Sequence, residues 1–223
     1  MPTSLPTPCL CLVTDAALAH DELVERVSNA VEGGVDLVQL RYKSLPGGQL
    51  LDLTSSVLEA MGGRAKLIVN ERADVALAAG AHGVQLGEEG LPVAAARRIL
   101  GEGLLIGRSV HSTEVAVQAE LDGSDFLVVG TMYASRSHIG ELPAGPGLMW
   151  EISSKCHLPL IGIGGVVPEN TAELIEAGAS GVAVITNILA AEDPRAAAER
   201  LKEILVASWN TRMNPPDVGT GDG

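Results

Sequence analysis

The chain has 223 residues, a formal net charge of −13 at pH 7 and only 2% aromatic residues. Such an acidic surface repels nucleic acid, and so few aromatics leave neither base-stacking platforms nor an aromatic membrane belt. No apolar run reaches the roughly twenty residues a membrane helix needs, and Met1 to Pro8 lacks the features of a secretion signal, so a cytoplasmic protein without a membrane partner is expected.

Residues 1–8, rich in Pro and Thr, read as a flexible N-terminal segment. From Cys9 onward, short β-branched apolar runs alternate with stretches of helical period. The strand candidates are Cys9 to Thr14, Asp36 to Arg41, Lys66 to Asn70, Gly83 to Gly87, Leu104 to Ser109, Phe126 to Tyr133, Leu158 to Gly164 and Gly181 to Thr186. The intervening helices read as His20 to Glu32, Gly48 to Met61, Ala73 to Ala79, Pro92 to Leu100, Thr113 to Leu121, Gly147 to Lys155, Pro168 to Ala177 and Pro194 to Val206. Pro92, Pro168 and Pro194 suit first helical turns, and Asp193 suits an N-cap. A corner motif recurs in Gly33-Gly34-Val35-Asp36, Ala79-Gly80-Ala81-His82-Gly83-Val84 and Ala177-Gly178-Ala179-Ser180-Gly181-Val182, as the helix-to-strand turn of a repeated unit. Eight such units with nearly continuous apolar strands predict an α/β chain forming a single (β/α)8 TIM barrel over residues 9–207. A doubly wound open sheet is the alternative architecture. Residues 208–223 are expected to be a disordered tail.

Cys9 and Cys11 stand two apart on a strand and Cys156 ends a helix, and no disulfide or cysteine metal site is expected. The glycine-rich ends of the last two strands, around Gly164, Gly165, Ile185 and Thr186, suit a phosphate cradle of backbone N–H groups, although tight strand-to-helix turns alone would use the same glycines. In a barrel the polar residues at strand ends share one mouth. Gln39, Arg41 and Lys43 alternate onto one face, where two cations and an amide suit an anion; a structural network with Glu71 or Asp74 is the other reading of both cations. Asn70, Gln85, Ser109 and Thr131 complete the rim. His111 follows the fifth strand and is the candidate for proton transfer. The stretch Ala134 to Pro146 reads as an active-site loop, with His138 a solvated loop histidine, while His20, His82 and His157 carry no chemistry.

The succession Leu12-Val13-Thr14-Asp15, Gln39-Leu40-Arg41-Tyr42-Lys43, Val69-Asn70-Glu71-Arg72-Ala73-Asp74, Gly83-Val84-Gln85-Leu86-Gly87, Gly107-Arg108-Ser109-Val110-His111-Ser112, Ile163-Gly164-Gly165-Val166 and Gly181-Val182-Ala183-Val184-Ile185 resembles the thiamin phosphate synthase and thiazole tautomerase superfamily. The resemblance runs from about Cys9 to Val206. It implies enzymes of thiamin biosynthesis, and in the synthases Mg2+ bound by two aspartates, whose positions fall at Glu71 and Gly90. A Thr-x-Thr-Lys element of synthases reads here Ser135-Arg136-Ser137-His138, and Gln85 stands where synthases usually carry a histidine. These departures favour the tautomerase branch: a thiazole carboxylate phosphate aromatised by His111, oriented by Ser109, with Arg41 or Lys43 on the carboxylate and with no metal and no cofactor. A thiamin phosphate synthase joining hydroxymethylpyrimidine diphosphate to a thiazole phosphate is the first alternative, and a non-catalytic thiazole phosphate binder the second. The family is often oligomeric, which admits a homo-oligomer; the sequence itself carries no sign of an interface.

Overall fold

Eight short apolar strands close on themselves in the order of the chain, each parallel to the next, with the eighth pairing back onto the first. The strands are β1 (Cys9–Val13), β2 (Leu37–Leu40), β3 (Lys66–Asn70), β4 (Gly83–Leu86), β5 (Leu105–Val110), β6 (Phe126–Val129), β7 (Leu160–Ile163) and β8 (Gly181–Val184). The helices are α1 (His20–Glu32), α2 (Gly47–Met61), α3 (Ala73–Ala79), α4 (Val93–Leu100), α5 (Thr113–Leu121), α6 (Gly145–Ser153), α7 (Pro168–Glu176), α8 (Thr186–Leu189) and α9 (Pro194–Met213). The computed structural model describes residues 4–42, 44–134 and 142–215. The expected TIM barrel is therefore the fold, and the open sheet is not.

Period-2 alternation divides each strand between two cores. Leu10, Leu12, Val38, Leu40, Leu67 and Val69 point outward and meet the helices, which bury stripes such as Leu23, Val27, Ala30 and Val31 of α1. Cys9, Cys11, Leu37, Ile68, Leu105, Val128, Ile161 and Ala183 point inward with Phe126, the one phenylalanine of the chain, and fill the barrel. All three cysteines are buried and free. Burial, then the charges of Asp36, push the Cys11 thiol up to about 12, so it stays protonated and inert.

A repeated device closes the barrel floor. Asp36 donates its N–H to Leu10 O and accepts the Leu10 N–H on Oδ2, at 3.0 and 2.7 Å. His82 does the same with Leu67 through Nδ1, at 2.7 and 3.0 Å, and Asp125 with Ile106 through Oδ2, at 2.8 and 2.6 Å. Each residue stands just before an even-numbered strand and grips the second residue of the strand before it. The two carboxylates are held in turn by Lys202 at 2.6 Å and Arg97 at 2.7 Å.

Most boundaries fall within two residues of expectation, and four differences bear on the fold and the site. Leu5 is buried in the inner core beside Cys9, so the segment preceding β1 packs against the barrel rather than trailing free. The strand β8 stops at Val184, because Ile185 leaves extended geometry and Thr186 begins the short helix α8. The strand β6 ends at Val129, four residues before the expected Tyr133. Helix α9 continues past residue 207 to Met213, where the tail had been expected, since Arg212 reaches back to the carbonyls of Ile175 and Ala179 and stacks on Trp209. No helix among the described residues is long and apolar enough to cross a membrane.

Candidate active site

Two adjoining cavities open at the C-terminal ends of the strands. One, of about 490 Å3, is lined by Thr131, Gly164, Gly165, Ile185 and Thr186 among others. The other, of about 770 Å3, is lined by Gln39, Arg41, Asn70, Ser109, His111 and Thr131, together with Tyr42, Glu71, Arg72 and Glu88. They meet at Thr131, Ile163 and Ile185, which line both. Of the described residues expected at the site, the structure brings all but Gln85 to these two cavities; Gln85 is buried behind the rim against Ser109. Lys43 lies outside the described residues, as do Ser135 to His138 of the expected active-site loop.

The smaller cavity is built from backbone. Gly164 and Gly165 have φ of +99° and +62°, and a Cβ on either would come within 2.5 Å of Thr131 Cγ2 or of Ala134 O. Their carbonyls are consumed by neighbours: Tyr133 N–H donates to Gly164 O at 2.9 Å and Asn170 Nδ2 to Gly165 O at 3.0 Å. Their N–H groups find no acceptor among the described residues. Asn170 also accepts the Val167 N–H at 2.9 Å, which fixes the turn into α7. Across the cavity, Arg26 clamps the far end of α8 through Leu189 O and Ala191 O at 3.2 and 3.0 Å. Unpaired backbone donors on rigid turns suit a phosphate.

The larger cavity is built from side chains. Gln39 donates to Asn70 Oδ1 at 2.9 Å, and the buried Gln85 donates to Ser109 Oγ at 3.0 Å while its Oε1 finds no partner among the described residues. The structural network expected for the cations forms at Arg72, which pairs with Asp74 at 2.7 Å, and that carboxyl is held below its usual range chiefly by the guanidinium hydrogen bond. Arg41 makes no hydrogen bond or ion pair through its guanidinium with any described residue. An unpaired guanidinium in a polar cavity of an acidic protein suits an anion.

The rim residue missed by sequence reasoning is Glu88. His111 Nδ1–H donates to Glu88 Oε2, Arg108 holds the main chain of the same turn through Glu88 O and Leu91 O, and Gly87 N–H donates to Glu71 Oε1. The turn after β4 is therefore fastened from both neighbouring strands. Ser109, expected to orient His111, is bonded to Gln85 instead. The rule that singled out Gln85 as a strand-end residue stops three residues short of Glu88, whose acidity next to Glu89 was the available signal.

The sequence profile of the family described as thiamine monophosphate synthase matches residues 10–188. The chain belongs to this family. The thiamine monophosphate synthase fold and sequence recur in relatives that it covers almost end to end. It is 42% identical over 202 residues to a putative thiamine-phosphate synthase of Geobacter sulfurreducens, spanning 88% of this chain and 93% of the relative. It is 39% identical over 201 residues to the thiamine-phosphate synthase of Chlorobium luteolum, spanning 89% and 93%. Among solved structures it resembles the thiamine phosphate pyrophosphorylase of Pyrococcus furiosus with a TM-score of 0.82 and 34% identity, covering 90% of this chain and 96% of that one. These relatives overturn the tautomerase expectation. The departures at Gln85 and Gly90 are features of a chain whose relatives carry the synthase name. An enzyme of thiamine biosynthesis is the supported reading.

Proposed function

We propose that this chain is a thiamine-phosphate synthase, joining hydroxymethylpyrimidine diphosphate to a thiazole phosphate with release of diphosphate. The family, the synthases at 39–42% identity and the Pyrococcus furiosus structure support this reading. The observation that carries it on the structural side is the junction of two anion-suited cavities at Thr131, Ile163 and Ile185. A coupling enzyme needs two phosphorylated substrates to meet, and a single phosphate pocket would not supply that.

The thiazole phosphate would seat its phosphate on the N–H groups of Gly164, Gly165, Ile185 and Thr186, leaving the ring toward the shared wall. The pyrimidine diphosphate would occupy the larger cavity with its diphosphate on Arg41 and its ring against Gln39, Asn70 and the aromatic wall of Tyr42. In the reaction the bond between the pyrimidine methylene carbon and the diphosphate oxygen breaks, and a bond from that carbon to the thiazole nitrogen forms. The diphosphate leaves with the electron pair, so the protein must stabilise anionic charge on the leaving group, which is where an arginine acts. No proton moves between carbons, so His111 acts as a rim group that anchors the turn after β4.

The family's Mg2+ fits this chain in one way. Glu71 lines the larger cavity, and one carboxylate together with substrate phosphates and waters is enough for Mg2+, whereas no cluster of three or more His, Cys, Asp or Glu able to hold a metal exists among the described residues. Glu71 is therefore the residue that would hold it, jointly with the diphosphate. When bound, the ion neutralises charge on the departing diphosphate.

The test supplies both substrates and Mg2+ and measures thiamine phosphate and diphosphate together. Equimolar formation of the two is expected. Absence of both, with the protein folded and thermally stabilised by thiazole phosphate, would replace the enzyme with a binder.

A further inference from the structure

Gln85 is 1% exposed, and only the nitrogen of its amide is paired. Nε2 donates to Ser109 Oγ at 3.0 Å and to Leu86 O at 3.4 Å, while Oε1 has no partner among the described residues. A buried acceptor without a donor costs stability, so this orientation needs a cause. The strand register supplies it. Gln85 stands opposite Gly107 across β4 and β5, and Ser109 follows two residues later on the same face. Gly107 leaves its side-chain space empty: Oε1 lies 2.2 Å from the point a Cβ there would occupy, and Phe126 Cζ lies 2.3 Å from it. The amide therefore sits over Gly107, with its oxygen on the side of the ring and its nitrogen toward Ser109. Turning it over would set Oε1 against the Leu86 carbonyl, oxygen to oxygen, and would leave both N–H groups facing carbon.

We propose that Gln85 is a positioning residue: by donating to Ser109 it makes that hydroxyl a donor into the larger cavity, aimed at a phosphate oxygen of the ligand held by Arg41. The inference rests on the synthase reading for the identity of that ligand and adds a residue that touches no substrate. A serine hydroxyl has one proton and two lone pairs. With a lone pair taken up by Gln85, the Ser109 proton points elsewhere, and no described residue accepts it. Ser109 lines the cavity that Arg41 also lines. An ionised phosphate oxygen only accepts, so a hydroxyl of fixed polarity suits it, whereas one free to turn its lone pairs inward would repel it. An amide does not titrate, so the polarity does not change with pH.

Calorimetric titration of the whole chain with inorganic diphosphate, with Mg2+ present throughout, tests this without turnover; each variant is compared with the wild type at the same pH. Gln85→Met keeps the volume and carries no donor. It should weaken diphosphate about threefold in the wild-type background and not at all beside Ser109→Ala, since Gln85 acts through that hydroxyl. Gln85→Glu adds a pH signature. Protonated, the new carboxyl still donates to Ser109; ionised, it only accepts, and it turns the Ser109 proton away from the cavity. Affinity relative to the wild type should therefore fall about tenfold as the pH rises through the titration of that carboxyl, the range for one hydrogen bond to a charged group. Most of that fall should disappear beside Ser109→Ala, the remainder being repulsion between the new charge and the anion. Equal losses with and without the Ser109 hydroxyl make Gln85 a packing residue and overturn the proposal, as does a wild type that binds no diphosphate. If Gln85→Glu fails to fold, seen in its melting curve, Gln85→Met decides alone. The coupling assay separates the two readings: product formed by a wild type whose losses are equal in both backgrounds sinks only the role of Gln85, whereas no product beside an intact Ser109 dependence sinks only the synthase.

Discussion

The floor and the mouth of this barrel use the same polar chemistry to opposite ends. At the floor, Asp36, His82 and Asp125 each exchange two hydrogen bonds with one residue of the neighbouring strand, and the carboxylates take a cation as well. At the mouth, the guanidinium of Arg41 and the N–H groups of Gly164 and Gly165, on residues that line the two cavities, find no partner among the described residues. A polar group left unpaired in a cavity costs stability that only a ligand returns, so these cavity-lining groups mark the functional end, whereas the unpaired hydroxyl of Ser124 beside Asp125 lines neither cavity. Substitutions should divide in the same way, with activity lost at the mouth and stability lost at the floor.

Arg41→Met should show the largest effect. On the proposed synthase reading, its loss removes a charge-assisted contact to the leaving diphosphate and is expected to lower kcat/KM by about a hundred- to a thousandfold, the range for one lost transition-state donor. The melting temperature should hardly move, because the guanidinium supports nothing else. Steady-state kinetics beside a thermal melt read both at once; a destabilised but fully active variant would erase the contrast between the two ends.

At the floor the expectation reverses. Asp36→Ala strips the acceptor from the Leu10 N–H and leaves Lys202 without its carboxylate, two losses in a site where both side chains are about a quarter exposed. Breaking a partly buried pair from one side should cost roughly 3 kcal/mol, visible as a lower urea midpoint with an unchanged slope. The kcat of the folded fraction should stay at the wild-type value. Gly165→Ala stands between these cases. It forces a Cβ at φ +62° to within 2.5 Å of Ala134 O, so about 1–2 kcal/mol of stability should go, and KM for thiazole phosphate should rise about tenfold as the turn withdraws from the phosphate. Affinity for inorganic diphosphate at Arg41 should be unaffected.

The same contrast explains what could be read from residues alone. The phosphate turns and the eight units were legible because backbone needs leave a mark in residue type: glycine where N–H groups must be approached, and β-branched runs where a strand is buried on both faces. The corner motif before even strands was legible as a turn, but the role of its variable position in Asp36 and His82 was not, since gripping a strand depends on register rather than on spacing. Side-chain partners at the mouth were hidden for the same reason. Nothing local distinguishes Arg41, which stays unpaired, from Arg72, which is spent on Asp74, and nothing local tells that His111 is held by Glu88 rather than Ser109. The tautomerase expectation failed at this point: single-residue departures were read as the mark of a branch when the whole-chain likeness pointed to synthases.

The smallest effect expected is at His82, and it tests whether the floor device works through an unprotonated acceptor. Its Nδ1 accepts the Leu67 N–H, which requires a lone pair there, and burial followed by the charge of Lys66 lowers its pKa from 6.5. Because the folded state resists protonation more than the unfolded chain does, this residue's contribution is present above about pH 6.5 and is lost as the pH falls below that value toward the depressed folded one. His82→Gln keeps an acceptor that does not titrate. Its melting temperature should therefore fall less than the wild type's between pH 7 and pH 5, by about 1–2 °C, since the group is half-exposed and solvent screens the effect. If the two curves stay parallel, imidazole protonation does not load the floor, and His82 is only a space-filling member of a device that Asp36 and Asp125 carry.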